Sequence, residues 1–166
     1  GLTISVWVNF DDENFDGYQE IFNNNQFFLR KGSRSEGNLF QLYVQTEDSN
    51  VEPGVRGVGA PLPDTWYHVV GTWDGAVARI YIDGRRRGLG ERKGRLTANT
   101  SPAQIGLGEQ TRPSANPFFG LIDEVAIFNY ALSEEDVQAL YNGGGPAYLI
   151  SMPWERRGTP TRQRLR

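Results

Sequence analysis

The chain of 166 residues has no cysteine, which excludes a disulfide framework and thiolate chemistry. It has a single histidine, His68, so a Ser-His-Asp triad or a zinc site is hard to assemble. No apolar run approaches the ~20 residues that cross a bilayer. The N-terminus has no charged-then-apolar leader; if the protein is exported, its signal lies upstream or has been removed. The lack of cysteine leaves export open, because a core of this size needs no covalent staple. It favours an extracellular or cell-surface location in a prokaryote. Positive charge is also scarce outside the end of the chain. Residues 154–166 carry five Arg and one Glu, and the formal charge of −3 for the whole chain leaves −7 for the rest. An acidic body argues against nucleic acid as a partner. Membrane insertion is not expected either.

What is present points to many short strands. Hydrophobic residues make up 38% and aromatics 12%, and 20 Gly with 9 Pro supply turns. Residues 2–8 alternate, with Leu2, Ile4, Val6 and Val8 on one face of a half-buried strand. Further strands are expected over 18–22, 26–31, 38–46, 66–73, 77–82, 103–108 and 118–129. The pair Asp74-Gly75 is a strong hairpin signal, since both residues tolerate positive φ, and Asp83-Gly84 repeats it. The spacing predicts one helix over 134–142. Ser133 is its N-cap with Asp136 at N3, Leu132 and Val137 can form a staple, and Gly143 ends it.

The motifs Trp66-Tyr-His-Val-Val-Gly-Thr-Trp-Asp-Gly75, Ile80-Tyr-Ile-Asp-Gly84, Gln104-Ile-Gly-Leu-Gly108 and Gly120-Leu-Ile-Asp-Glu-Val-Ala-Ile-Phe-Asn-Tyr-Ala-Leu-Ser133 follow in this order. Together they resemble the laminin-G-like, concanavalin A-like family. The resemblance implies an all-β fold: a two-sheet antiparallel jelly-roll sandwich over 1–145 with one short helix. It also implies a binding role, with ligand sites in loops or on the concave sheet. Family members usually open with an additional strand, whereas Gly1 stands directly before what would be the second. Residues 146–166 are then expected to form an extended tail, with 147–152 as an edge strand covering the vacated position in its own or a neighbouring chain. Tyr148, Ile150, Met152, Trp154, Arg156 and Arg157 are its candidate assembly residues.

Several side chains are candidates for chemistry. Related sandwiches include glucanases, which need two carboxylates on one strand face. Strand alternation puts Asp123 and Glu124 on opposite faces, so no catalytic residue is assigned and no enzyme is expected. Asp12, Asn14 and Asp16, followed by Gly17 and with Glu20 at the ninth place, resemble the start of a calcium loop. The twelfth place is Asn23 and no helices flank the loop, so a true EF-hand is excluded; the bland alternative is a solvated acidic turn. The resemblance implies Asp123 as a ligand of a structural calcium. Arg85 and Arg87 belong to a cationic hairpin that suits acidic polysaccharide, or is simply a solvated edge. Tyr18, Phe118 and Phe119 lie in or beside loops where rings can stack on sugars. His68 is expected to be hydrogen-bonded inside the sandwich. Two readings follow: a non-catalytic, carbohydrate-directed binding or adhesion module with a glycan or protein ligand, or a structural subunit of a homo-oligomer or filament held by its tail.

Overall fold

Alternation in the first strand is what builds the sandwich. In the computed structural model, which describes residues 1–48, 55–57, 59–107 and 116–143, β1 (Leu2–Phe10) turns Ile4, Val6, Val8 and Phe10 into the core. It is followed by β2 (Gln19–Asn23), β3 (Phe27–Lys31), β4 (Phe40–Val44), β5 (Val55–Arg56), β6 (Trp66–Trp73), β7 (Val77–Ile82), β8 (Arg85–Glu91), β9 (Gln104–Ile105) and β10 (Gly120–Phe128). The chain then turns into α1 (Glu134–Tyr141). A single 3-10 turn, Arg34–Glu36, links β3 to β4. The expected edge strand 147–152, and with it Tyr148, Ile150, Met152, Trp154, Arg156 and Arg157, lies outside the described residues.

Two antiparallel sheets result, in the orders β10-β1-β6-β7-β8 and β5-β4-β3-β2-β9. Between them pack Ile4, Val6, Val8 and Phe10 from β1, Phe27 and Leu29 from β3, Phe40, Leu42 and Val44 from β4, and Val69, Trp73, Ile80 and Ile82 from β6 and β7. Full burial of such side chains contributes about 1.5–3 kcal/mol each before conformational entropy is set against it. A bulge in β2 pairs Glu20 with Arg30 but Phe22 with Leu29, so Ile21 and Phe22 both reach the core. Gly120, at φ 138, brings β10 against β1 so closely that a Cβ would sit 2.0 Å from the Asn9 carbonyl oxygen.

Two expected strands shorten, and one charged run takes on a strand. The cationic stretch after Asp83-Gly84 forms the hairpin arm expected there: it is the edge strand β8, paired to β7 along its length. The strand expected over 103–108 is only the two-residue β9, and the one over 38–46 shortens to β4. β10 and β6 flank β1, so among the described residues the edges of that sheet are β10, the partner of β1, and β8.

The helix forms as its ends dictate. Ser133 Oγ accepts from the Asp136 N–H at 3.1 Å, and the Asp136 carboxylate accepts from the Ser133 N–H at 3.3 Å, a complete capping box. α1 lies on the outer face of the β10-β1-β6-β7-β8 sheet, where Val137 and Leu132 pack against Val70, Tyr81 and Phe128.

Candidate functional site

The outer face of the other sheet is built by the residues that alternate with the core. Leu29 and Leu42 point inward, so Arg30, Gln41 and Tyr43 point outward, and Phe28 lies opposite Tyr43 across the β3–β4 pair. The Phe28 and Tyr43 rings stack with centroids 4.4 Å apart and planes at 11°. The Arg30 guanidinium carbon lies 4.6 Å from the Tyr43 centroid, 4.7 Å from that of Tyr18 and 5.9 Å from that of Phe28. Arg30 Nε donates to Gln41 Oε1 at 2.9 Å and its Nη2 to Tyr43 Oη at 2.8 Å. The Gln41 amide in turn donates to Glu36 at 2.7 Å. These contacts hold long side chains in one geometry before any ligand arrives, which lowers the entropic cost of binding. Tyr18 and Phe28 remain half-exposed, while Tyr43 and Gln41 are buried beneath them.

Glu20 lies under this cluster. It is buried, 3.7 Å from Arg30, and its Oε2 has no hydrogen-bond partner among the described residues. Burial pushes its carboxyl up to about 7, and Arg30 pulls the other way.

His68 shows the opposite arrangement. It is buried, but beneath α1 on the outer side of its sheet and not between the sheets. Its ring lies 5.2 Å from Trp7 and 6.1 Å from Tyr141. Nε2 is 2.8 Å from Ser5 Oγ, Nδ1 has no partner among the described residues, and burial lowers its pKa to about 4. With Ser5 3% and His68 1% exposed, this pair is closed to a substrate.

The structure divides the sequence-predicted ligand set. Tyr18 joins the Arg30 cluster. Phe118 packs on the core, its ring 5.0 Å from Phe10. Phe119 is exposed where its N–H donates to Gln19, and Arg85 and Arg87 are exposed on β8, the far edge of the other sheet. The calcium candidates are not gathered either. Asp12, Asn14 and Asp16 are exposed, Asp16 pairs with Arg34 at 2.7 Å, and Glu20 is under Arg30. Asp123 is exposed and accepts from the Glu124 N–H at 2.8 Å. Among the described residues, no three His, Cys, Asp or Glu side chains converge to hold a metal ion. Sequence reading missed Phe28, Arg30, Gln41 and Tyr43. Each lies on an expected strand, but only the β3–β4 register shows that they meet.

This fold also has known relatives. A family model for concanavalin A-like lectins and glucanases, of the laminin G type, matches residues 1–138. The chain belongs to that superfamily. No curated protein sequence matches it. Among solved structures, a Bacteroides ovatus protein with a proposed carbohydrate-binding role superposes with a TM-score of 0.66 at 21% identity, over 82% of this chain and 39% of its own. A heptameric SAP-like pentraxin from Limulus polyphemus gives 0.65 at 20% identity, over 87% and 70%. Domain 4 of an extracellular arabinanase from Geobacillus stearothermophilus, solved with arabinotriose, gives 0.62 at 20% identity, over 84% and 66%. The chain thus spans well under half of the Bacteroides protein. At these identities the likeness is one of laminin G-type fold.

The glucanase side of the superfamily requires paired carboxylates on one strand face. In β10 the ladder breaks at the two acids: Ser5 pairs with Ala126 and Trp7 with Asp123, so Glu124 and Val125 together oppose Val6. Glu124 takes φ 48 in this bulge, which corrects the simple alternation expected from the sequence. Both carboxylates are exposed on an outer strand.

Proposed function

We propose that this laminin G-type domain is a non-catalytic, carbohydrate-directed binding module of an exported protein. The Arg30 cluster is its ligand face. The observation that carries the reading is a guanidinium packed among Tyr18, Tyr43 and Phe28 and tied to Gln41, Tyr43 and Glu20. Half-exposed rings offer apolar faces to the C–H side of a sugar, and fixed polar groups between them select its hydroxyls. Arg30 is packed against the rings and its Nε and Nη2 already donate to Gln41 and Tyr43, so the expected ligand is an uncharged sugar. The carbohydrate role proposed for the Bacteroides ovatus protein, and the arabinotriose solved with the arabinanase domain, support the same class. A neutral-glycan array probed with wild type, Tyr18→Ala and Phe28→Ala tests it. Binding by the wild type that falls at least ~10-fold in both variants is the expected result. Wild-type binding unchanged in both variants would place the ligand elsewhere, and no binding to any neutral glycan would end the carbohydrate reading.

A second reading, assembly through the tail, is favoured by one feature. Leu121 and Ile127 are 60% and 53% exposed on the open edge strand β10, and Ile105 on β9 is 54% exposed. An apolar edge with no partner strand among the described residues suits an added strand. Residues 147–152 are the proposed occupant, with Trp154, Arg156 and Arg157 reaching acidic groups beyond it. Sedimentation of the full chain and of a chain ending at residue 145 tests this: a monomer in both cases rules it out.

A further inference from the structure

The acidic turn that looked like a calcium loop is folded around a different cation. In β3, Phe27, Leu29 and Lys31 share the core-facing side. Lys31 is therefore directed into the end of the sandwich, and it is 0% exposed. Its Nζ donates to the carbonyl oxygens of Phe15, Gly17 at 2.8 Å and Gly32 at 3.0 Å, and to Asn38 Oδ1 at 3.2 Å. The ammonium also lies 4.5 Å from the Phe15 ring centroid. Gln19, paired with Lys31 across the β2–β3 ladder, donates its amide to the Asn14 carbonyl at 3.0 Å. The carbonyls of Asn14, Phe15 and Gly17 thus face inward to strand side chains, while Asp12, Asn14 and Asp16 are exposed on the outside of the turn. That is the reverse of a calcium loop, in which carboxylates converge on the ion.

We infer that Phe15, Gly17, Gly32 and Asn38 form an oxygen cage for a primary ammonium group, and that Lys31 is its resident cation in place of a metal. The cage offers four neutral oxygens to three N–H donors, so one donor is shared between two of them. Calcium would need six to eight oxygens and the charge of several carboxylates. Burial pushes Lys31 down to about 8 with Asp16 opposing, which leaves it an ammonium at neutral pH. With Lys31 truncated to alanine, the missing atoms are those of n-propylamine, so the cage should accept n-propylammonium as a free ligand.

The test uses the full chain and thermal unfolding. Wild type should melt at the same temperature in EDTA and in millimolar calcium chloride. Lys31→Ala should melt roughly 5–10 °C lower, because several buried carbonyls lose their donors. n-Propylammonium chloride should raise that midpoint saturably, and tetramethylammonium chloride at equal ionic strength should not, since it has no N–H. Lys31→Met, which fills the space without a donor, should be destabilised and not rescued. A saturable rise of the wild-type midpoint with calcium that Asp12→Ala and Asp16→Ala abolish would overturn the inference, as would Lys31→Ala responding equally to both ammonium salts. If Lys31→Ala does not fold, wild type decides alone: a held ammonium gives a solvent-protected ¹H–¹⁵N signal for Lys31 Nζ at neutral pH, and rapid exchange there sinks the proposal.

Discussion

The outer faces of the two sheets carry similar raw material and end differently. Each sets aromatic rings beside a buried ionisable group: Trp7 beside His68 on one, Tyr18, Phe28 and Tyr43 with Arg30 beside Glu20 on the other. Over the first lies α1, which buries Val137 completely and seals the histidine as a neutral base. Among the described residues no α-helix lies over the second, and Tyr18 and Phe28 stay partly exposed above the buried Tyr43. Aromatic clusters alone therefore do not mark a ligand site. What separates the two is whether another element has already consumed the apolar surface.

Four measurements would break or sharpen that contrast. The largest effect should come from Val137→Asp, which buries a charge beneath α1. A loss of roughly 4 kcal/mol in urea unfolding is expected, while glycan binding on the opposite face persists below the midpoint. Binding lost with the helix displaced would mean the wrong face has been assigned. Arg30→Ala should cost roughly 3 kcal/mol, because Glu20 is left buried without its partner, and should also remove glycan binding. A variant that is equally stable and binds normally contradicts the role given to Arg30.

The two buried groups should pull stability in opposite directions with pH. His68 is held near 4 against an ordinary 6.5, so the unfolded chain takes up a proton first and stability falls as pH drops from 6.5 towards 4. Glu20 is held near 7 against 4.5, so the folded chain keeps its proton longer and stability falls as pH rises from 4.5 to 7. Each is worth up to roughly 3 kcal/mol, and wild type should show a shallow profile over pH 4.5–6.5. His68→Gln should leave a downward slope with rising pH, and Glu20→Gln an upward one; parallel profiles for wild type and both variants would refute the assignment. Smallest is Ser133→Ala, expected to cost about 1 kcal/mol by removing the N-cap of α1, read as a small shift of the urea midpoint with glycan affinity unchanged.

Much of this was visible before any coordinates. Residues 2–8 alternate so regularly that their inward face could be named, and Ser133 with Asp136 announced the helix start. Both are local signals, carried by residues within one turn or one strand. The Asp-Gly pairs likewise marked hairpins that form as expected: Gly75 and Gly84 both take positive φ. The arginine-rich stretch after them was harder. A charged run reads as a solvated surface, and an edge strand is one kind of solvated surface, so only its pairing with β7 distinguishes the two.

By itself, then, the sequence determined the class of fold, the faces of the regularly alternating strands and the capped helix at Glu134–Tyr141, because strand period, turn geometry and capping chemistry act over a few residues. Tertiary structure decided what those faces meet. The β3–β4 register joined Arg30 to Gln41, Tyr43 and Phe28, and a bulge in β10 broke the alternation at Asp123 and Glu124. Closure of the turn at residues 12–17 over the sandwich end put a lysine where acidic spacing suggested calcium. Each of these depends on groups brought together from separate strands and loops, and spacing along one chain carries no record of that distance.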